Sequence, residues 1–231
     1  MTPLLLAVDT THEYGSLALL RGAETVEEVL LHAPAGFAHV LYPHLAELLA
    51  RNGVRAAEIA CFAAASGPGS FTGVRVGLAC VKGLAEALGR PAVAVSNLQA
   101  LSCFGSRPLR AVVLDARRGE VYGAVYDAAA HLVAPEVVAP FERWLATLLA
   151  DLEPDLAEGD LEFVSPDFAP FRAALAGTRF EQAPVSTAPP ALAAAVGRLA
   201  LARYQAGAAQ DPAALDANYV RRSDAELLWK E

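Results

Sequence analysis

The chain has 231 residues, enough for one large domain or two of about 100 residues each, and either arrangement can bury a core. Apolar residues make up 55% of it and charged residues 19%, which excludes an intrinsically disordered chain, and no apolar run approaches the roughly 18 residues of a membrane-spanning helix. The net charge of −8 argues against direct binding of nucleic acid, because neutralising phosphates requires a basic surface. We therefore expect a folded protein with no membrane partner, which touches RNA only indirectly.

The amino terminus and the cysteines both favour a cytoplasmic location. Residues 1–9 lack a basic region, and their short apolar run ends at Asp9, which predicts a buried strand and not a secretory signal. The three cysteines, at positions 61, 80 and 103, are an odd number without CxxC spacing. They are interpreted as small buried hydrophobic residues in a reducing compartment.

The first half of the chain predicts an antiparallel meander followed by alternating strands and helices. Its strand-like segments are separated by short turns and its helical segments by glycine. Strands are predicted over 4–8, 15–20, 26–32, 59–65 and 92–95, and helices over 38–52, 72–88 and from residue 97.

The second half repeats this order of elements from about residue 106. Strands are predicted over 109–114, 120–126, 132–138 and 161–164, and helices over 141–149, 168–175 and 188–205. A repeated unit of three strands followed by alternating helices and strands predicts an α/β fold. We expect two ribonuclease-H-like subdomains of the actin/Hsp70/sugar-kinase superfamily, formed by residues 1–105 and 106–231.

The glycine-rich segment 66–73 joins a buried strand to a helix, where free backbone amides favour an anion. It matches neither phosphate-binding motif, because Val74 follows its last glycine where a Walker loop has lysine, and its glycine spacing is GxGxxxG. A tight turn with Ser70 or Thr72 as the N-cap explains it equally well. The residues of a vestigial nucleotide site would be Asp9, Thr10, Ser66, Gly67 and Gly69.

The helix after this segment contains Gly73, Gly77 and Gly83, each of which costs roughly 1 kcal/mol relative to alanine in a helix interior. Close approach of another backbone would offset that cost, either inside the chain or in a partner. The preceding helix carries a leucine stripe that fits the same purpose. The residues predicted to form the partner interface are Leu41, Leu45, Leu48, Gly73, Val74, Gly77 and Val81.

Two carboxylates occupy similar places in the two halves, since Asp9 and Asp115 each end the strand that opens a half. Such a pair suits a metal-bridging or phosphate-facing role, although aspartate at a strand end is also a common turn former. His39 and His44 are five residues apart and so lie on poorly matched helical faces, which argues against a metal pair.

Several blocks of this sequence resemble the bacterial TsaB (YeaZ) family. They extend over most of the chain in the order of that family, and the segment 127–214 between them is variable. The matching blocks are Asp9-Thr10-Thr11, the helix entry around His39, residues 66–78, residues 82–85, residues 115–122 and the near-terminal Asn218-Tyr219-Val220-Arg221-Arg222.

The resemblance implies a non-catalytic subunit in the threonylcarbamoylation of adenosine 37 of ANN-decoding tRNAs. In that pathway the paralogue TsaD transfers the group, working with TsaB and the ATPase TsaE. The helices of the first half of TsaB form a bundle with TsaD, or with a second TsaB when the chain is alone. The resemblance implies no cofactor in the chain itself, with ATP possible in the complex, and contact with tRNA only through the partner.

One departure from the paralogue favours a docking subunit over a transferase. TsaD places its metal-binding histidines just after the strand that follows the glycine-rich helix, whereas residues 95–101 here contain none. Two other functions stay open. The chain could be a nucleotide-dependent phosphotransferase or peptidase with Asp9, Asp115 and the glycine-rich segment in a cleft, or a homodimer with a structural role in another complex.

Overall fold

The computed structural model describes residues 2–152, 157 and 159–221, and these fall into two compact units. The first comprises the chain up to Asn97 together with Pro190–Asn218. The second comprises Leu98–Pro189 and continues from Tyr219. The observed division therefore differs from the predicted one at residue 105, because the chain returns to the first unit near its end.

The first unit is built on a five-stranded mixed sheet with the strand order β3-β2-β1-β4-β5. The β1–β2 and β2–β3 pairs are antiparallel, and β4 is parallel to both β1 and β5. The predicted antiparallel meander is thus confirmed. The strands are β1 (Leu4–Asp9), β2 (Tyr14–Arg21), β3 (Glu24–His32), β4 (Ile59–Ala65) and β5 (Ala92–Val95).

The second unit repeats the same sheet, with the order β10-β9-β6-β7-β8. Its first three strands are again antiparallel, and β9 is again parallel to its two neighbours β6 and β10. The predicted duplication of a ribonuclease-H-like α/β unit is therefore confirmed. The strands are β6 (Leu109–Arg117), β7 (Glu120–Asp127), β8 (Leu132–Pro140), β9 (Leu161–Ser165) and β10 (Val185–Thr187).

The helices follow the predicted order with two differences near proline. The segment predicted as helix over 168–175 is a 3₁₀ helix, Ala169–Leu175, with proline in its first turn. The last helix starts later than predicted because prolines at 189 and 190 disfavour a helical residue before them. The helices are α1 (Leu41–Arg51), α2 (Phe71–Leu88), α3 (Asn97–Ser102), α4 (Phe141–Leu152) and α5 (Ala193–Gln205), with short 3₁₀ turns at Ala56–Glu58 and Pro212–Ala214.

Helices cover both faces of the first sheet. Leu6 and Val8 of β1 belong to one core cluster with the buried residues of α1 and α2. Residues that alternate with them along a strand point to the opposite face, where α5 packs on β1 and β2. Contact there is close, because a side chain at Gly197 of α5 would overlap Leu20.

Polar side chains of the first sheet fix the amino terminus of α5. The Ser16 hydroxyl accepts hydrogen bonds from Leu192 N at 3.0 Å and Ala193 N at 2.8 Å. Glu28 accepts another from Ala194 N at 2.8 Å, so a carboxylate lies at the positive end of the helix. These bonds explain why 193–205 belongs to the first unit and not to the predicted second domain.

Within the described residues, no helix is both long enough and apolar enough to cross a bilayer. Cys61 and Cys80 are buried as predicted, whereas Cys103 is half-buried. Burial raises the pKa of the Cys61 thiol to about 12 and that of Cys80 to about 11. Both thiols therefore stay protonated at neutral pH, in keeping with a packing role.

The core of the second unit is rich in aromatic rings, but it also contains a buried carboxylate, Glu162 of β9. One carboxylate oxygen accepts from the backbone amides of Ser106 and Arg107, and the other accepts from the Ser186 hydroxyl at 2.5 Å. Glu162 thereby joins the segment before β6 to β10. Three hydrogen bonds therefore converge on this buried carboxylate, and its removal would break the link between the two segments.

We expect Glu162→Ala to lower the free energy of unfolding by about 3 kcal/mol, because it removes three hydrogen bonds to a carboxylate and leaves a cavity in place of a buried side chain. Urea unfolding of the purified chain measures this. Glu142→Ala, in the exposed first turn of α4, is the matched control and should change stability by less than about 1 kcal/mol. Equal effects of the two substitutions would contradict the role assigned to Glu162.

Candidate functional site

The glycine-rich segment and the start of α2 lie directly on the turn between β1 and β2. A Cβ added at Gly69 would lie 2.5 Å from the Thr11 carbonyl oxygen, and one added at Gly77 would lie 2.6 Å from the Thr10 hydroxyl. A Cβ added at Gly73 would overlap the Thr10 carbonyl oxygen. The same test at Gly83 meets nothing within 4 Å. Gly73 and Gly77 are therefore needed for packing inside the chain, whereas Gly83 lies on the open side of the helix.

Hydrogen bonds hold the same contact. The Thr10 hydroxyl donates to the Gly73 carbonyl at 2.7 Å, and Ser70 N donates to the Thr11 carbonyl at 2.7 Å. Ser70 is the N-cap, its hydroxyl accepting from Gly73 N at 3.3 Å. Ser70 and Thr72 were the two residues predicted as candidates for the N-cap, and Ser70 is the N-cap in the structure. The turn and the helix thus form one rigid contact.

Ser66 and Gly67, two of the three predicted ligand residues of the loop, use their backbone amides within the chain. Ser66 N donates to the Val95 carbonyl at 2.8 Å, and Gly67 N donates to the Asn97 side-chain oxygen at 2.9 Å. A loop that cradles a phosphate directs such amides at the ligand. The amides of Ser66, Gly67, Ser70 and Gly73 therefore do not form a phosphate cradle in this conformation.

Asp9 is buried at the carboxyl end of β1, where one oxygen accepts from Thr11 N at 2.9 Å and from the Thr11 hydroxyl at 2.7 Å. Its other oxygen is a buried side-chain atom for which the described residues supply no hydrogen-bond partner. An ionised carboxylate oxygen only accepts hydrogen bonds. The arrangement at Asp9 therefore suits a donor or a cation, and does not suit the phosphate expected there.

An open cleft of about 350 Å³ lies beside this network, at the amino terminus of α2. Its polar lining includes Thr10, His12, Glu13, Ser70 and Thr72, and its apolar lining includes Phe37 and Val76. The cleft was not predicted from the sequence, since the loop that carries Phe37 has no marked motif. Thr10 lines this cleft, whereas Asp9 is buried and is not part of the lining.

The residues predicted to form the partner interface lie in the chain's own core. The leucines of α1 and the small and apolar residues of α2 pack on the first sheet, and none of the seven is exposed in the described chain. An apolar stripe facing the sheet produces the same sequence pattern as one facing a partner. The correction applies to Leu41, Leu45, Leu48, Gly73, Val74, Gly77 and Val81.

The opposite face of the two helices is exposed and carries different residues. On α2 it contains Phe71, with 48% of its surface accessible, and Arg75, whose guanidinium lies 3.5 Å from the Phe71 ring centroid. Ala79 and Gly83 continue this face with small side chains, and Tyr42 of α1 is 53% accessible. We call Tyr42, Phe71, Arg75, Ala79 and Gly83 the outer face.

Asp115 does not repeat the arrangement of Asp9. It is exposed, and it accepts a hydrogen bond from Arg117 N at 2.8 Å within a tight hairpin. Arg117 and Arg118 both have positive φ, at 65° and 57°. Asp115 therefore matches Asp9 in its place near the end of the first strand of its unit, but the two carboxylates differ in burial and in hydrogen bonding.

The other motif residues have structural contacts of their own. His44 lies 3.6 Å from Glu47 at an exposed site, and no cluster of three or more potential metal ligands occurs in the described part of the chain. Asn218 N donates to the Ser66 carbonyl at 2.8 Å. Arg221 pairs with Glu120 and donates to the Ala116 carbonyl, while Arg222 lies outside the described residues.

Sequence reasoning missed the two polar residues at the centre of the network, Thr11 and Asn97. Both are fully buried. The available signal was the position of Asn97 two residues after the end of β5, where a buried polar residue must find partners. From the sequence, this segment was noted only because residues 95–101 contain no histidine.

Comparison with known proteins gives a consistent pattern. The family model described as TsaD, tRNA N6-adenosine threonylcarbamoyltransferase, matches residues 32–220. The tRNA threonylcarbamoyladenosine biosynthesis protein TsaB of Bacillus subtilis is 34% identical over 125 residues, which are 53% of this chain and 55% of that protein. The chain thus matches about half the length of this curated relative.

Two further relatives match over nearly the whole chain. An uncharacterized protein of Mycobacterium tuberculosis is 32% identical over 229 residues, covering 97% of this chain and 94% of that protein. The crystal structure of an uncharacterized protein from Pseudomonas aeruginosa, described as similar to peptidase YeaZ, has a TM-score of 0.77 at 27% identity and covers 95% of this chain and 100% of that chain.

The different roles of the α2 glycines can be tested by replacing each with alanine. Gly83→Ala should raise the free energy of unfolding by up to about 1 kcal/mol, since alanine is the better helix former and nothing lies in its way. Gly73→Ala should lower it by about 2 kcal/mol, because the methyl group overlaps the Thr10 carbonyl. Thermal or urea unfolding measures both, and the same sign for both would contradict the assignment.

Proposed function

This chain belongs to the family described by the TsaD model and, within it, to TsaB (YeaZ), and we propose that it acts in the synthesis of threonylcarbamoyladenosine in tRNA as a non-catalytic subunit that docks to a TsaD-type transferase. The TsaB relative acts in tRNA threonylcarbamoyladenosine biosynthesis, which supports this pathway for the chain. Docking to a transferase subunit goes beyond that relationship and rests on the surface of the chain.

The observation that carries the docking role is the division of α2 into two faces. The inner face holds Gly73 and Gly77 against Thr10, so it is fully used within the chain. The outer face combines an aromatic ring and an arginine with small residues at Ala79 and Gly83, over which another helix can approach closely. Such a face supports docking of a helical partner.

The absence of a catalytic role is supported by the chemistry of the loop. Residues 95–101 lack the histidines that the resemblance to the transferase leads one to expect there, and the Asn97 side-chain amide bonds to Gly67 and Thr11 and is not left open to a ligand. Thr11 is fully buried, so its hydroxyl cannot attack a substrate. The remaining expectations belong to this proposal: a TsaE-like ATPase as a further partner, a homodimer when the chain is alone, and contact with tRNA only through the complex.

The docking surface is tested on the outer face. Ala79→Arg places a long charged side chain there and should weaken association with the transferase subunit about tenfold or more, while leaving the unfolding curve unchanged. Gly77→Leu is unsuitable, since it would collide with Thr10 and disturb the fold.

Ala202→Arg makes the same change at an exposed position of α5 and is the matched control. Isothermal titration of each variant with the transferase subunit gives the dissociation constants. The docking proposal would be overturned by unchanged affinity of the Ala79 variant, or by an equal loss in the control.

We also expect the chain alone to show no saturable binding of ATP up to about 1 mM, because the amides of Ser66, Gly67 and Ser70 are already bonded within the chain. Calorimetric titration with and without Mg²⁺ measures this. The unpartnered oxygen of Asp9 favours the alternative, a nucleotide-dependent phosphotransferase or peptidase. Turnover of ATP or a peptide by the pure chain, abolished by Asp9→Asn, would establish that alternative.

A further inference from the structure

The hydroxyl of Thr11 is the common partner of three polar side chains. It donates to Asp9 Oδ1 at 2.7 Å, accepts from Asn97 Nδ2 at 2.5 Å, and lies 2.9 Å from His12 Nδ1. Thr11, Asp9 and Asn97 are buried, so water does not substitute for these contacts. A single oxygen atom therefore connects the end of β1, the following turn and the start of α3.

Counting protons fixes the direction of the third contact. The Thr11 hydroxyl has one hydrogen, and Asp9 takes it. The bond from Asn97 occupies one of the two acceptor positions on the oxygen. His12 must therefore donate from Nδ1, so a neutral His12 carries its proton on Nδ1 and not on Nε2.

Asn97 extends the connection to the glycine-rich segment. Its side-chain oxygen accepts from Gly67 N at 2.9 Å, and its own backbone N donates to the Gly67 carbonyl at 2.8 Å. The turn is joined to α2 by the bond from Thr10 to Gly73 and by that from Ser70 to Thr11. Asn97 thus holds both segments against which the amino terminus of α2 rests.

We propose that Asn97 is a positioning residue for docking, which acts through the Thr11 hydroxyl to fix the amino-terminal end of α2 and hence the placement of Phe71 and Arg75 on the outer face. This inference rests on the proposed docking function. Its structural part, the Asn97–Thr11–His12 connection, is measurable in the isolated chain, so it can fail independently of that function.

The experiment compares Thr11→Val, which keeps the shape and removes the hydroxyl, with Thr11→Ser, which keeps the hydroxyl. Asn97→Ala removes the amide itself. Ser102→Ala is the control, because Ser102 is a buried polar residue of the same short helix whose hydroxyl donates to the Gln99 carbonyl and, among the described residues, has no bond to the loop. All four are compared with wild type under conditions where unfolding curves show each to be folded.

Three measurements are made. Nitrogen-15 NMR reports the tautomer of neutral His12, and amide hydrogen exchange reports the opening of Gly67 and of the first turn of α2 in the isolated chain. Isothermal titration reports the affinity for the transferase subunit. Should Thr11→Val fail to fold, Asn97→Ala tests the same connection.

We expect Nδ1–H in wild type, Ser102→Ala and Thr11→Ser, and a shift toward Nε2–H in Thr11→Val. Exchange at Gly67 should rise about tenfold, and affinity should fall about tenfold, in Thr11→Val and Asn97→Ala, with Thr11→Ser close to wild type. An Nε2–H tautomer in wild type, or unchanged exchange in Asn97→Ala, would overturn the connection.

The affinity measurement tests the proposed role of Asn97 in docking separately from the hydrogen-bond connection. Faster exchange with unchanged affinity would overturn the positioning role while leaving the docking function intact. Failure of the wild-type chain to bind the transferase subunit would refute the proposed function and with it this role, whereas the tautomer and exchange results would still decide the connection.

Discussion

The close approach of α2 to the β1–β2 turn is the contact on which the first unit depends. It requires glycine at 69, 73 and 77, because a methyl group at any of them would collide with Thr10 or Thr11. Each helical glycine weakens the isolated helix by roughly 1 kcal/mol. The hydrogen bonds of Thr10 and Ser70 and the packing of the inner face on the sheet offset this cost. The helix is consequently held by its inner face, and its outer face is available for another purpose.

This contact also decides what the glycine-rich segment can do. A loop rich in glycine before a helix has the composition of a phosphate site and of a tight structural turn alike. The two differ in where the backbone amides point, and here Ser66 and Gly67 direct theirs to Val95 and Asn97. The amides of Ser66 and Gly67 are thus satisfied within the chain, whereas one oxygen of Asp9 has no hydrogen-bond partner among the described residues. A sequence cannot report this, because it depends on a residue thirty positions away along the chain.

Much of the fold could be predicted because the strands are continuous apolar runs separated by short turns, and because the second half repeats the order of the first. β10 was missed since three residues carry no periodicity. The place of α5 was missed because Ser16 and Glu28, which hold its amino terminus, are more than 160 residues away in the chain. The leucine stripe of α1 was detected, but its direction was wrong, since burial against a sheet and burial against a partner select the same residues.

The two halves also show that repeated topology does not repeat chemistry. β1 ends at Asp9, whose buried carboxylate accepts a hydrogen bond from Thr11 N. β6 continues past Asp115 to Arg117 with an irregular register, so its aspartate falls inside a hairpin and faces solvent. After β4 comes a glycine-rich segment and a long helix, whereas after β9 come Pro166-Asp167-Phe168 and a 3₁₀ helix. Within the described residues, the first unit therefore has a helix whose amino terminus packs on the opening turn and the second unit has none, and the polar network and the outer face arise from that difference.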